Sequence, residues 1–371
     1  VPRVAVVLPV YNHALYLEET LRSLLAQDFR DFEILAVDDG STDNSLEILN
    51  RYRPHVRITE ATHRGPAAAR NDALNQVECE YIAFMDADDV CAPSRLRVEL
   101  EELESKKLDL VAAALSFIDA KGEELPGAWR RPPGPANDYW GALLERNWIG
   151  TPSVLLRRRV LEKSGLFDER FTHAEDYDLW LRIGASGKIG YIDAPLIQCR
   201  RHSANASGDI EAHQFFERLA LQKVDPTEAR RAFSRLYSDK ERLEEAWIWF
   251  LLRSGNTQFR EEAVRALSLF PESHDLRFAL GVFHHDRGEW EEALSVFSAM
   301  PENDTASRHN AGVLSWLCGD SQTADRCLKQ ALQARPDYDD ARFNLMALTH
   351  GQRLRLTRRP FRKDLVPMIR G

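Results

Sequence analysis

The sequence predicts an α/β domain built on an open, mostly parallel sheet, followed by an all-α domain of helical repeats. Three observations carry that prediction. Short β-rich apolar runs alternate with amphipathic stretches through the first half; the strand signal disappears from about Asp209; and Gly255, Gly288 and Gly319 then recur at spacings of 33 and 31 residues. Strands alternating with helices imply parallel pairing and a sheet covered on both faces.

The elements follow in order. Val4 to Leu8 reads as a strand, and Leu15, Leu17, Leu21, Leu24 and Leu25 recur at helical spacing. Phe32 to Val37 is a second strand, Ser45 to Arg51 a helix, Val56 to Thr59 a short strand and Pro66 to Gln76 an Ala-rich helix. Tyr81 to Met85 is a buried strand, Pro93 to Glu104 a helix, and Asp109 to Phe117 closes the series. Lys121 to Pro135, with four prolines and three glycines, reads as a long loop of the kind that often serves function. Beyond Gly150 come a strand near Val154 to Leu156, helices over Arg159 to Ser164 and Asp176 to Ile183, and strands over Ile189 to Ile192 and Leu196 to Cys199. Ligands in such sheets sit beyond the carboxyl ends of strands, so the chemistry is expected just after Leu8, Val37 and Met85.

In the second half each of the three glycines ends an apolar helix and precedes another containing Ala263, Ala293 or Ala324, with Pro271, Pro301 and Pro336 closing each unit. Small residues at fixed offsets let paired helices pack closely. The period is close to the ~34 residues of tetratricopeptide repeats, against the alternative of a generic helical bundle. His284, His285, Arg287 and Trp290 are candidates for an exposed face there, through which the repeats would dock the acceptor or a protein partner carrying it, against the alternative that they bind a second copy or brace the sheet. Domain limits are expected at 1–208, 209–350 and, for a basic tail, 351–371. Arg353, Arg355, Arg358, Arg359, Arg362, Lys363 and Arg370 against Asp364 suit either a solvated tail or peripheral contact with anionic lipid.

Composition narrows the class. The 371 residues are 44% hydrophobic and 29% charged, ordinary for a globular chain of about two domains. A net charge of −9 argues against nucleic acid as partner. Five cysteines without a Cys-x-x-Cys pair disfavour structural zinc and a disulfide framework and suit a reducing compartment. No apolar run approaches the ~20 residues of a membrane span, and no basic-then-apolar leader opens the sequence. A cytoplasmic location, peripheral at the inner membrane face through the basic tail, is the expectation.

Two acidic constellations end apolar strands: Asp38-Asp39-Gly40-Ser41-Thr42-Asp43 and Asp86-Ala87-Asp88-Asp89. Turn formation and helix capping explain part of the first. In the second, residues two apart face one side of an extended chain, so Asp86 and Asp88 are able to approach one hard cation; acidic turns are also common without one. No Gly-x-Gly-x-x-Gly follows the first strand and no Walker-type loop occurs, which disfavours dinucleotide dehydrogenases and P-loop enzymes.

Pro9-Val10-Tyr11-Asn12, the two acidic motifs, Ala69-Arg70-Asn71, Gly165-Leu166-Phe167-Asp168-Glu169, Glu175-Asp176-Tyr177-Asp178-Leu179-Trp180 and Arg200-Arg201-His202 with Asn205 and Ser207 stand in one order. Over roughly residues 3 to 207 this order and spacing resemble the family 2 glycosyltransferases. The resemblance implies a GT-A nucleotide-sugar domain, inverting transfer from a nucleotide diphosphate donor, most simply a UDP-sugar, and a Mn²⁺ or Mg²⁺ cofactor. It implies an acceptor hydroxyl on a glycan, a lipid-linked glycan or a protein. Carried over by position, Pro9 and Tyr11 line the base pocket, Asp39 accepts from the uracil imide and Arg70 flanks the base. Asp86 faces the ribose, Asp88 binds the metal, Asp176 is the catalytic base, and Arg200 and His202 belong to a loop closing over the diphosphate. Cys199 stands where an aromatic residue often precedes that arginine.

Alternatives accompany these assignments. Asp178 pairs with Arg182 four residues on rather than serving as base. Glu175 orients an acceptor or a neighbouring arginine; Trp180 is core; Trp148 is a candidate for stacking on an acceptor sugar. An Asp near its ordinary pKa of ~3.9 is ionised at neutral pH, so Asp176 needs placement more than activation. Two rival classes remain. A sugar-1-phosphate nucleotidyltransferase lacks its Gly-rich loop here, and a non-catalytic repeat scaffold with a vestigial sugar-nucleotide domain is disfavoured by the intact Asp88 and Asp176.

Overall fold

The computed structural model describes residues 1–131, 138–202, 210–350 and 352–359. The chain divides into two compact units, Val1–Leu236 and Tyr237–Leu365. The first unit opens with β1 (Val4–Val10), α1 (Leu17–Leu25), β2 (Phe32–Asp38), α2 (Ser45–Arg51), β3 (Val56–Glu60), α3 (Pro66–Leu74), β4 (Tyr81–Phe84), β5 (Val90–Cys91), α4 (Arg95–Ser105) and β6 (Leu110–Ile118). It continues with β7 (Glu124–Trp129), α5 (Tyr139–Glu145), β8 (Val154–Arg157), α6 (Arg158–Ser164), α7 (Glu175–Ser186), β9 (Ile189–Arg200), α8 (Ile210–Gln222) and α9 (Pro226–Leu236).

The strands form one sheet in the order β3-β2-β1-β4-β8-β6-β9-β5, with β7 beside β6. The block β3-β2-β1-β4 is parallel, as the alternation of elements requires. Beyond that block the open sheet is mixed. β8 enters between β4 and β6 from a 3-10 turn at Thr151–Ser153 and runs against both. β6 and β9 pair in parallel, with register shifts where Pro195 interrupts β9. The stretch expected as loop contains β7, which pairs antiparallel with β6; residues 132–137 of that stretch lie outside the described residues. The chain steps outward from β1 to β2 to β3 and returns on the other side as β4. The reversal at β1 and β4 is where such sheets open a ligand crevice.

Every residue of β1 except Pro9 is buried, as a strand covered on both faces demands. Val4, Val6, Leu8 and Val10 share a core with Leu17, Leu21 and Leu24 of α1, each side chain contributing about 1.5–3 kcal/mol of burial. Beneath the end of β4 lies a fully buried ion pair, Arg95 with Glu99 at 3.1 Å, and Arg95 also donates to the Phe84 carbonyl at 2.9 Å.

The unit boundary falls at 236/237 rather than at 208. Polar ties hold α8 and α9 to the first unit: Lys223 bonds Asp178 at 2.6 Å, and Arg235 bonds Asp138 at 2.8 Å. These distant partners carry no signal in the local sequence.

The second unit holds α10 (Lys240–Ser254), α11 (Phe259–Leu269), α12 (His274–Asp286), α13 (Trp290–Ser298), α14 (Thr305–Leu317), α15 (Ser321–Ala334) and α16 (Asp339–His350). Gly255, Gly288 and Gly319 take positive φ at the turns closing α10, α12 and α14, a conformation costly for any residue with a Cβ. Asp239, Ser273, Asp304 and Asp320 cap the helices that follow them. Ala263, Ala293 and Ala324 are fully buried. A Cβ on Gly281 would lie 2.6 Å from the Phe297 ring, so the close approach of α12 and α13 requires glycine there. Residues 352–359 of the expected basic tail pack on this unit, with Leu354 buried against Val313, Leu328 and Ala347. Arg362, Lys363 and Arg370 lie outside the described residues. No described helix is long and apolar enough to cross a membrane.

Candidate active site

Val10 and Asp38 are paired at the ends of β1 and β2, so the two turns that follow lie side by side. They are stitched together. Asn12 N–H donates to Ser41 Oγ at 3.0 Å, Thr42 N–H to Asn12 Oδ1 at 2.7 Å, and Ala14 N–H to Asp43 Oδ2 at 2.9 Å. Asn12 sits at φ 56, a left-handed position that Asn tolerates. The buried Asp39 carboxylate accepts from Arg64 N–H at 2.9 Å, Gly65 N–H at 2.8 Å and the His63 ring at 2.9 Å. That loop comes so close that a Cβ on Gly40 would lie 3.0 Å from His63 N. The exposed Tyr11 ring stacks on His63 with centroids 3.9 Å apart. Tyr11, Asp39 and His63 thus form one mouth.

At the end of β4 the chain turns through Asp86, Asp88 and Asp89. Thr20 of α1 pins the turn by donating to the carbonyls of Ala87 at 3.0 Å and Asp89 at 2.8 Å. Asp88 Oδ2 lies 2.9 Å from His202 Nε2, and the His202 ring stacks on Tyr16. Arg200 N–H donates to Asp89 Oδ1 at 2.8 Å. Burial, with the charges of Asp88 and Asp86 beside it, pushes the Asp89 carboxyl well up. The Asp88–His202 pair has the chemistry of a divalent-cation site: one carboxylate and one imidazole. Among the described residues no three His, Cys, Asp or Glu side chains converge on a metal position, so the protein would supply two ligands and bound oxygens or water the rest.

The third part is the start of α7. Glu175 accepts from Arg70 at 2.7 Å, and the same guanidinium donates to Asp86 at 2.9 Å. Its Nε is buried without a hydrogen-bond partner. Removal from water and the charges of Asp88 and Glu175 push the Asp86 carboxyl upward, against the pull of Arg70. Next to Glu175, Asp176 accepts from Thr151 Oγ1 at 2.9 Å and from Asn147 Nδ2 at 3.4 Å. Burial first, and then the Glu175 charge, raise the Asp176 carboxyl to about 6. The turn into the helix is strained: Ala174, with φ 54, is a non-glycine residue in the left-handed region. Arg70 thus links Asp86, in the turn after β4, to Glu175, the chain neighbour of the perturbed Asp176.

The sequence matches point the same way. The model of the family described as Glycosyl transferase family 2 matches residues 5–165. An uncharacterized glycosyltransferase of Rickettsia conorii is 30% identical over 220 residues, 57% of this chain and 36% of that protein. The chondroitin synthase of Pasteurella multocida is 24% identical over 292 residues, 77% of this chain and 29% of that one. The chain spans about a third of the length of these relatives. The crystal structure of S. aureus TarS 1-349 in complex with UDP-GlcNAc shares the fold, with a TM-score of 0.51 and 19% identity over 94% of this chain and 92% of that one.

Several of the motifs that carry the resemblance prove to be internal clasps. Asn71 holds the backbone of Phe167 from both sides, donating to its carbonyl at 2.9 Å and accepting from its N–H at 3.1 Å. Arg70, expected to flank the base, is committed to Glu175 and Asp86. Arg200, expected to close over the diphosphate, is fully buried and donates to Asp88 O, Asp119 O and Glu19 Oε2 instead; it fastens β9 to the Asp88 turn. Trp148, a candidate acceptor platform, is buried between Tyr139 and Tyr191 and offers no face. Asp178 is bound by Arg182 and Lys223, and Trp180 is core. Cys199 lies near Asp89, its thiol pushed up by burial first and then by that charge. Asn205 and Ser207 lie outside the described residues.

Sequence reasoning missed His63, Asn147 and Thr151. His63 was accessible, because it follows β3, whose parallel register with β2 carries it to Asp39. Thr151 and Asn147 meet Asp176 only through the fold.

Proposed function

We propose that this chain transfers a sugar from a nucleotide diphosphate donor, most simply a UDP-sugar, to an acceptor hydroxyl on a glycan, lipid-linked glycan or protein, with inversion. The Arg70 bridge carries the proposal: one buried guanidinium ties Asp86, at the strand end where the diphosphate would lie, to Glu175, the neighbour of the base. Pro9, Tyr11 and Asp39 receive the base and Asp86 the ribose. Asp39 has one carboxylate lone pair to spare beyond its three bonds.

Asp176 takes the acceptor proton. The acceptor oxygen bonds to the anomeric carbon as the bond from that carbon to the diphosphate oxygen breaks, the electron pair leaving with the nucleotide diphosphate. A carboxyl raised to about 6 is still mostly ionised at neutral pH and is a stronger base than an ordinary Asp. Activation as well as placement is therefore built in, by burial and by Glu175. Thr151 and Asn147 hold the carboxylate in position. Asp88 and His202 would hold Mn²⁺ or Mg²⁺, which supplies charge neutralisation for the leaving diphosphate. We assign no described residue of the second unit, tetratricopeptide-like in its period, to this chemistry.

The test is release of nucleotide diphosphate from a panel of UDP- and GDP-sugars with and without Mn²⁺. Metal-dependent release that Asp176→Asn lowers by ~10²-fold, at unchanged donor affinity, supports the proposal. Failure of the folded protein to bind any nucleotide sugar would falsify it.

A further inference from the structure

We propose that α12, α14 and α16 form a binding groove for an extended polypeptide, read through its main chain, and that residues 352–359 are a displaceable resident of it. The partner is a protein segment with the pattern Leu-x-x-Thr-Arg. The test of this groove does not depend on the donor chemistry.

Two fully buried asparagines carry the inference. Asn344 on α16 accepts from Arg355 N–H at 2.8 Å and donates to the Arg355 carbonyl at 2.7 Å. Asn310 on α14 accepts from Thr357 N–H at 2.9 Å and donates to the Thr357 carbonyl at 2.8 Å. Each side-chain amide thus reproduces what a neighbouring β-strand offers a residue. Residues two apart in an extended chain present their N–H and C=O on one edge, so the spacing of the two asparagines matches one strand edge.

The amides are held in that orientation. The buried His309 ring lies 2.8 Å from Asn344 Nδ2 through Nε2 and 3.2 Å from Asn310 Oδ1 through Nδ1. A neutral ring protonated at Nδ1 accepts from the first and donates to the second. Burial lowers the His309 pKa, which favours this neutral form. Without a polypeptide between them, both asparagines would be left with unsatisfied buried groups, at a cost of about 1–3 kcal/mol each.

Side chains add selectivity at three places. Leu354 fills the apolar site beside Val313, Leu328 and Ala347. Thr357 Oγ1 donates to Asp340 at 2.9 Å and bonds the Tyr338 hydroxyl. Arg358 makes a two-pronged ion pair with Asp286, at 2.7 and 2.9 Å. Arg353 faces solvent, and Arg355 lies over the exterior of the Phe343 ring. Recognition thus rests on main chain plus three anchors, which an incoming segment is able to match.

The probe is the acetylated, amidated octapeptide of residues 352–359. A tethered resident competes at millimolar effective concentration, so the full-length chain carrying Leu354→Asp and Arg358→Glu is used to release it. By fluorescence anisotropy this variant should bind the probe at least ~10-fold more tightly than the wild type does. Adding Asn310→Ala and Asn344→Ala should abolish binding, as should N-methylation of the probe at the position of Thr357. A folded released variant that ignores the probe, or binds the N-methylated peptide equally well, overturns the proposal. Should the variant not fold, hydrogen exchange in the wild type decides: saturating probe should speed exchange of the Arg355 and Thr357 amides, and unchanged exchange overturns it.

Discussion

Asp88 Oδ2 and His202 Nε2 stand 2.9 Å apart although 114 residues separate them in the chain. The end of β9 brings the histidine there, fastened by Arg200 to the backbone of Asp88 itself. If this pair holds the cation, Asp88→Ala should remove the Mn²⁺ dependence of UDP binding, and His202→Ala should weaken it by ~10-fold. Calorimetry with and without Mn²⁺ checks both; equal metal-dependent affinity in folded variants excludes the assignment.

The pH profile should report Asp176. The base works ionised, so kcat/KM should fall as pH drops through about 6. The Thr151 hydroxyl donates to the charged carboxylate and lowers its pKa. Thr151→Val should therefore move the acidic limb to higher pH, costing more rate at pH 6 than at pH 8. An unmoved limb would assign that ionisation to another group.

Arg70→Met would strand the Glu175 and Asp86 carboxylates against each other. Breaking a buried ion pair costs about 3–5 kcal/mol, so the variant should lose stability by that order in urea unfolding. Adding Glu175→Gln should recover part of the loss. If the double variant is less stable than the single by the full cost of Glu175→Gln alone, the two residues are uncoupled.

At Ala174 the left-handed backbone sets the direction in which α7 leaves and thus the aim of Glu175 and Asp176. Ala174→Val places a β-branched side chain there and should cost about 1–3 kcal/mol together with turnover. Ala174→Gly should be near neutral, since relief of strain offsets a lost methyl and a floppier unfolded chain. Thermal melts and kcat of the pair separate backbone strain from simple loss of packing.

Glu99, fully buried against Arg95, has its carboxyl pushed by burial to about 7 from an ordinary 4.5. The folded chain then binds more protons than the unfolded chain between these values, so this group's contribution to stability falls as pH rises from 4.5 to 7. Glu99→Gln should flatten that slope in urea midpoints measured across the range. A slope unchanged by the substitution would place its origin elsewhere.

Local rules of chemistry were enough for much of the molecule. Alternation of β-rich and amphipathic runs located β1 to β4 and their helices within a residue or two, because each depends on neighbours in sequence. The acidic motifs fell at strand ends, where an open sheet must place its ligand crevice. Glycines 255, 288 and 319 marked helix ends because a left-handed turn needs no partner to be recognised.

Other features belong to tertiary structure. Which face of the chemistry a motif serves was not legible: Arg200 and Asn71 are clasps, and Trp148 is core, because hydrogen-bond partners a hundred residues away decide how a side chain is spent. The raised pKa of Asp176 depends on burial and on Glu175, and burial is a property of the packed whole. The antiparallel entry of β8 between β4 and β6 rests on pairing with strands remote in the chain, which the local run Val154–Arg157 does not specify. The seat of residues 352–359 depends on two asparagines 34 positions apart, Asn310 and Asn344, that only helix packing brings onto one strand edge. Sequence alone determined the elements, the order of the motifs and the chemistry available; folding decided which of those groups meet, because partner, distance and dielectric are set by residues remote in the chain.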